Sequence, residues 1–305
     1  MDRDLRPLTV AAVTAAVSCG VLAAALRWSW LGPDAGRGAE FCEAGRDWVV
    51  RQPANTFSNA GFVAAGLLIA WHAGARRDLG AAAARVPAAA PAAAPTGAPA
   101  GAPAGASADA SADASAGASA GASAGPRWRA GAFACLVVLL GPGSAAMHAT
   151  QSVLGGHLDL LSMYLVAAFA AAYATMRWLR AGTAVLAGVF AGAVAACEAA
   201  GAWDVRLPVV LHPGNAAFGL LLLTAAALEI AVIRRDRTPA GSGSPAHAGF
   251  VYAAIAVLLV AFAVWNAGQA WLCDPRSLLQ GHAVWHLLCA GSAYLLYRYY
   301  AGEHD

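Results

Sequence analysis

The sequence predicts an all-α polytopic membrane protein. The chain has 305 residues, of which 59% are hydrophobic and only 12% are charged, about half the charge of a typical soluble domain. Lipid leaves each backbone polar group to be satisfied inside its own segment, so such a chain crosses a bilayer as helices. A crossing needs about 20 apolar residues, and we identify eight spans: 8–26, 56–73, 130–149, 157–176, 182–201, 211–233, 248–270 and 281–300.

The first of these spans has a second interpretation. Residues 8–26 also fit a signal peptide with an AAA cleavage site at residues 23–25. Cleavage there would leave seven spans, and the rest of the chain would keep the same orientation.

The arginines predict the orientation. All 19 basic residues are Arg, and with eight spans thirteen of them lie on the side that holds both termini, against six on the other. The positive-inside bias therefore places both termini in the cytoplasm. The Ala, Gly and Arg richness is typical of a GC-rich bacterial genome, so we expect the bacterial cytoplasmic membrane. A net charge of +2 without a basic patch argues against nucleic acid as a partner; the oligomeric state is left open.

The composition of residues 80–125 indicates a segment without packed structure. Residues 80–125 are almost wholly Ala, Gly, Ser and Pro and include the near-repeat ASADASADASAGASAGASAG. Because Gly and Pro interrupt the Ala-rich stretches, we predict a disordered, flexible cytoplasmic linker between the second and third spans.

Ionisable side chains inside spans are costly, and each is a candidate for function. In the predicted topology three helix ends present ionisable and hydroxyl side chains at a similar depth on the outer side of the membrane. These are Ser144 and His148 at the end of the third span, His157 and Asp159 at the start of the fourth, and His282 and His286 at the start of the eighth.

The histidine spacing predicts a metal site. His282 and His286 are four residues apart, so they share one helix face and can bind one ion. A third histidine from another helix would complete a three-His site with an open fourth position, which is typical of catalytic zinc. His148 fits that role, and by spacing alone His157 competes with it. The pair could instead sit at the interface and bond to headgroups or water.

Two further residues suggest hydrolytic chemistry beside the ion. Asp159 could orient a histidine or accept a proton from water. Ser144 could hydrogen-bond to a developing oxyanion, although a small residue there could equally serve helix packing.

Ordered blocks of the chain resemble the alkaline ceramidases. The run GPGSAAMHAT (141–150), then Asp159, then GHAVWH (281–286) resembles this family, which belongs to a membrane hydrolase superfamily that includes the adiponectin-type receptors. The segment FCEAGRDWVVRQPANTFSNAGF (41–62) and the segment VWNAGQAWLC (264–273) also resemble family segments.

The resemblance implies a seven-helix bundle of ceramidase type, here with one extra N-terminal transmembrane helix. It implies zinc held by His148, His282 and His286, with Ser144 and Asp159 as catalytic residues. The substrate would be ceramide or a related N-acyl lipid, cleaved to a fatty acid and a free sphingoid base or amine. A receptor-like or structural membrane protein with a non-catalytic metal site is the alternative.

The resemblance also bears on the loops at the outer side. It implies a disulfide between Cys42 and Cys273, which an extracytoplasmic compartment permits. Animal members have an acidic cluster thought to hold calcium. Here Glu40 and Glu43 remain, but Gln52 stands where a Glu is expected, so a calcium site is doubtful.

These features divide the chain into four parts. The parts are an N-terminal transmembrane helix with its outer loop (1–39), a first bundle helix with its Cys-Glu entry segment (40–79), the linker (80–125) and the remaining bundle helices with the metal site (126–305).

Overall fold

The computed structural model describes residues 4–75, 110–203, 205, 213–236 and 245–302. Within these ranges the chain is almost wholly helical, which confirms the predicted all-α fold. The helices are α1 (Arg6–Arg27), α2 (Pro53–Ser58), α3 (Ala60–Ala75), α4 (Ala110–Thr150), α5 (Val153–Trp178), α6 (Thr183–Gly201), α7 (Pro213–Asp236), α8 (Pro245–Ala270) and α9 (Gly281–Gly302).

The helices have the length and composition of membrane spans. In the described part of the chain six are long and apolar enough to cross a bilayer: α1, α5, α6, residues Trp128–Thr150 of α4, α7 and residues Ala248–Ala270 of α8. Helix α3 has only 16 residues, and α9 is long enough but contains two histidines, an arginine and four tyrosines. The protein is an integral membrane protein. Six of the eight predicted spans correspond to these six helices, the second corresponds to α2 and α3, and the eighth corresponds to α9.

Two helix boundaries differ from the sequence prediction. The second span, predicted as one run over 56–73, is preceded by the short α2, and the chain turns at Asn59 before α3 begins. Residues 80–109 of the predicted linker lie outside the described residues, whereas 110–125 form the first turns of α4 rather than a linker. This stretch has no Pro and abundant Ala, the strongest helix former, which outweighs the cost of its glycines.

The long helices form a seven-helix bundle with one helix outside it. Helix α9 packs against α8 and α3, α3 against α4, α4 against α5, and α5 against both α6 and α7. Helix α1 packs on the outside, against α4 and α3. The core between α3, α4 and α9 is apolar and includes Phe133, Val137, Ile69 and Tyr297.

A buried ion pair closes the end of the bundle opposite the histidines. Arg177 near the end of α5 donates to the carboxylate of Glu229 on α7, whose side chain is 2% exposed. Arg177 also donates to the hydroxyl of Tyr299 on α9 at 2.7 Å. The guanidinium therefore links three helices, and it lies over the rings of Tyr173, Tyr299 and Tyr300.

This pair yields a prediction about stability. Glu229→Gln removes the charge that compensates Arg177, and we expect a loss of about 3 kcal/mol in the free energy of unfolding, since breaking a buried pair leaves an uncompensated charge. Thermal or denaturant unfolding in detergent measures it. The control is Glu198→Gln, whose carboxylate lies 3.6 Å from the half-exposed His157 and should change stability by less than about 1 kcal/mol. Equal effects of the two variants would contradict the assignment.

Candidate metal centre and active site

Three imidazoles from two helices meet near one end of the bundle. The ring nitrogens offered by His148 of α4 and by His282 and His286 of α9 all lie within 4.8 Å of one another. Nε2 of His148 and Nε2 of His282 are 3.2 Å apart. Two ligands held at 2.0–2.1 Å from one tetrahedral zinc ion lie about 3.3 Å apart, so this separation suits a shared ion.

Hydrogen bonds fix which nitrogen two of these rings present. Nδ1 of His148 lies 2.8 Å from Oε1 of Gln52. Nδ1 of His286 lies 2.8 Å from Oγ of Ser58, whose own proton is donated to the carbonyl of Asn55. Both oxygens therefore accept, both Nδ1 atoms carry the proton, and Nε2 of each ring keeps the lone pair that a metal needs.

The third ring is held by packing. His282 stacks on Phe41, with ring centroids 4.1 Å apart and planes 15° apart, and the ring of Trp265 lies 6.3 Å away. Its Nδ1 is buried and has no hydrogen-bond partner among the described residues. A neutral three-imidazole set of this kind is a donor set that zinc prefers. The residues present therefore fit the metal that the sequence predicts.

Ser144 and Asp159 lie together beside the histidines. Ser144 is one turn before His148 on α4, so the two share a face, and its side chain lies close enough to the Asp159 carboxyl of α5 to interact with it. Both side chains are buried. The structure thus places a hydroxyl and a carboxylate near each other, on and beside the helix face that carries His148.

The glycines of the GPGS motif permit this contact. A Cβ at Gly143 would lie 2.7 Å from Cβ of Ser162 on α5, and one at Gly141 would lie 2.7 Å from Cγ2 of Val63 on α3. No side chain fits at these distances. The motif lets α4 approach α5 and α3 closely just before Ser144.

The predicted third-ligand alternative lies elsewhere. The side chain of His157 is 53% exposed and faces Glu198 of α6, and it is not part of the histidine group. The structure brings His148, rather than His157, to the HxxxH pair.

The entry segment is tied to the α8–α9 loop. Cys42 and Cys273 form a disulfide in the structure, and the Ala44 N–H donates to the carbonyl of Pro275 at 2.9 Å. The segment before α2 and the loop before α9 are therefore covalently joined, next to the position where Phe41 stacks on His282.

Of the two acidic residues considered for calcium, one has a structural role. Both carboxylate oxygens of Glu43 accept backbone N–H groups, from Ala54 and Asn55, at 2.8 Å each. They cap the start of α2. Burial raises the pKa of the Glu43 carboxyl, and the two N–H bonds oppose that rise. Glu40 is exposed.

Comparison with known proteins decides the family. The model of the Ceramidase family matches residues 118–302, more than half of the chain. The chain belongs to the ceramidase family. It is therefore a hydrolase that acts on the amide bond of ceramide. The matched region contains Ser144, His148, Asp159, His282 and His286, while α1, α2 and α3 lie outside it. No curated protein matches the chain.

Sequence reasoning missed three contacts of this ceramidase-family site. Gln52, Ser58 and Phe41 each touch a histidine, and the two hydrogen bonds span 96 and 228 residues of sequence. Such separations leave no trace in local spacing. For Ser58 a signal was available in the polar cluster NTFSN at the start of the second span, since polar groups inside a span are costly.

The close approach at Gly143 predicts that a substitution there lowers activity while leaving the three histidines in place. Gly143→Ala should push α5 away and separate Ser144 from Asp159, and a displacement of about 1 Å at a catalytic group can lower the rate on the order of 100-fold. Ceramide hydrolysis by the purified variant measures this. Gly192→Ala on α6, where an added methyl meets nothing within 4 Å, is the matched control and should keep parental activity. Full activity of Gly143→Ala would contradict the tight contact.

Proposed function

We propose that this ceramidase-family hydrolase is zinc-dependent, with His148, His282 and His286 as the metal ligands. The observation that carries the proposal is the convergence of three ring nitrogens within 4.8 Å, with Nδ1 of two rings already engaged by Gln52 and Ser58. The substrate is ceramide or a related N-acyl lipid, and the products are a fatty acid and a free sphingoid base or amine.

The ion would supply one element of the chemistry. Bound zinc acts as a Lewis acid towards a carbonyl oxygen and stabilises the negative charge that develops there. A buried site strengthens that interaction, because the local dielectric constant is low. The three neutral imidazoles leave the ion its full positive charge.

Asp159 and Ser144 handle the proton. Water adds to the amide carbon, and the Asp159 carboxylate accepts the proton that the water loses. The C–N bond then breaks, and Asp159 returns the proton to the departing amine nitrogen, so that the carboxylate is regenerated. The Ser144 hydroxyl donates to Asp159 and orients it. Atoms balance as one amide and one water giving one carboxylic acid and one amine.

The membrane setting suits an insoluble substrate. The histidine end of the bundle lies at the ends of membrane helices, and a two-chain lipid can enter laterally from the bilayer. From the arginine distribution we place this end at the outer side of a bacterial cytoplasmic membrane, with both termini in the cytoplasm.

The zinc assignment predicts a joint loss of metal and activity. Purified protein incubated with a panel of ceramides and other N-acyl lipids should release fatty acid and amine, and a zinc chelator should abolish the release. His286→Ala should lose both zinc, measured by elemental analysis, and activity. His157→Ala, which alters an exposed histidine outside the group, is the matched control and should keep both. A fully active His286→Ala would sink the proposal.

The assignment of Asp159 as the proton acceptor predicts a loss of activity without a loss of zinc. Asp159→Asn keeps the shape but cannot take a proton, and its kcat should fall about 10²–10⁴-fold while the zinc content stays at one per chain. Ser144→Ala removes only the orienting bond and should cost less. If Asp159→Asn retained parental kcat, another group would have to be the base.

A further inference from the structure

We propose that Gln52 is a positioning residue that fixes the tautomer and the place of His148 and ties the entry segment to the metal ligands. This assignment rests on the proposed function, in which His148 is a zinc ligand. Gln52 lies in the loop before α2, is fully buried, and precedes the region that the family model matches.

The orientation of the Gln52 amide is determined by its neighbours. Its Nε2 donates both protons, one to the carbonyl of Gly38 at 2.9 Å and one to the carbonyl of Glu43 at 2.8 Å. The reversed amide would set an oxygen against two carbonyl oxygens. Oε1 therefore faces Nδ1 of His148 at 2.8 Å and can only accept, which keeps the proton on Nδ1 and leaves Nε2 free for the ion.

Gln52 also holds His148 through the main chain. The N–H of Gln52 donates to the carbonyl of His148 at 3.0 Å, and the N–H of Arg51 donates to the carbonyl of Ala149 at 3.0 Å. These carbonyls lie in the last turn of α4, where helix carbonyls have no partner within the helix. One residue thus fixes both the backbone and the ring of the only proposed zinc ligand on α4.

The Gln52 amide also connects His148 to the chain that leads into α2, at Gly38 and Glu43. Gly38 and Glu43 flank Cys42, which is bonded to Cys273 in the loop that leads to α9. Helix α9 carries the other two ligands. Gln52 therefore connects the proposed α4 ligand to the disulfide-bonded loop that precedes α9.

The test measures zinc affinity in the full-length protein in detergent, by competition with a fluorescent chelator. Gln52→Met keeps the side-chain length but loses the acceptor and both donors. We expect zinc to bind about 10–100-fold more weakly, the usual cost of losing an outer hydrogen bond to a ligand. The visible spectrum of the Co²⁺-loaded variant should also change, since the ring of one ligand is no longer oriented.

Gln280→Met is the matched control. Gln280 is also buried, and its Nε2 likewise donates to two loop carbonyls, of Asp274 and Ser277, at 2.8 and 2.7 Å. Within the described part of the chain, no hydrogen bond joins the Gln280 side chain to a histidine. Gln280→Met should lose a comparable loop tether yet bind zinc within about threefold of the parent, with an unchanged Co²⁺ spectrum.

If Gln52→Met does not fold, a second variant, Gln52→Glu, tests the same assignment. Gln52→Glu keeps an acceptor for His148 Nδ1 but has no N–H donors, so we expect zinc affinity within about tenfold of the parent and a lower unfolding temperature. Parental affinity in Gln52→Met, or equal weakening in Gln280→Met, overturns the assignment. So does a 100-fold weakening in a folded Gln52→Glu. A parent protein that binds no zinc overturns the proposed function itself.

Discussion

The candidate site depends on how buried imidazoles are satisfied inside a membrane helix bundle. In lipid a polar group without a partner is costly, yet three histidines meet at one end of this bundle. Two of them, His148 and His286, donate hydrogen bonds from Nδ1 to Gln52 and Ser58. Their remaining lone pairs then converge with the third ring, and the three nitrogens lie close enough together to hold one metal ion.

Close helix packing places the remaining groups. Gly143 brings α4 against α5, so that Ser144 reaches Asp159. Gly268 and Gly281 bring α8 against α9 beside His282, where an added methyl would lie within 3 Å of the opposing backbone. At the other end the Arg177–Glu229 pair joins α5, α7 and α9. Helices α5 and α9 are thus fixed twice. Close contacts at glycines hold them near the site, and the buried charge pair holds them at the opposite end.

Much of this architecture was predictable from the sequence, because lipid makes span length and apolar content decisive. The i, i+4 spacing of His282 and His286 placed both on one face of α9, and the end-of-span positions of His148 and Asp159 placed them at the same end. Spacing could not choose between His148 and His157; the packing of α4 and α5 turns His157 towards Glu198. Nor could it find Gln52, whose role depends on a loop folding back onto α4. The helical start of α4 at Ala110 was not predicted, because the low-complexity Ala/Gly/Ser composition of residues 110–125 suggested a linker. The high helix propensity of the alternating Ala residues favours a helix there instead.

The central claim is that one zinc ion is held by one histidine of α4 and two of α9. Anomalous diffraction from crystals of the zinc-loaded protein, recorded on both sides of the zinc absorption edge, tests it most directly. The account predicts a single strong peak about 2.0–2.1 Å from Nε2 of His148, His282 and His286. A zinc-loaded crystal with no peak between these three rings, or with its peak at other residues, would contradict it.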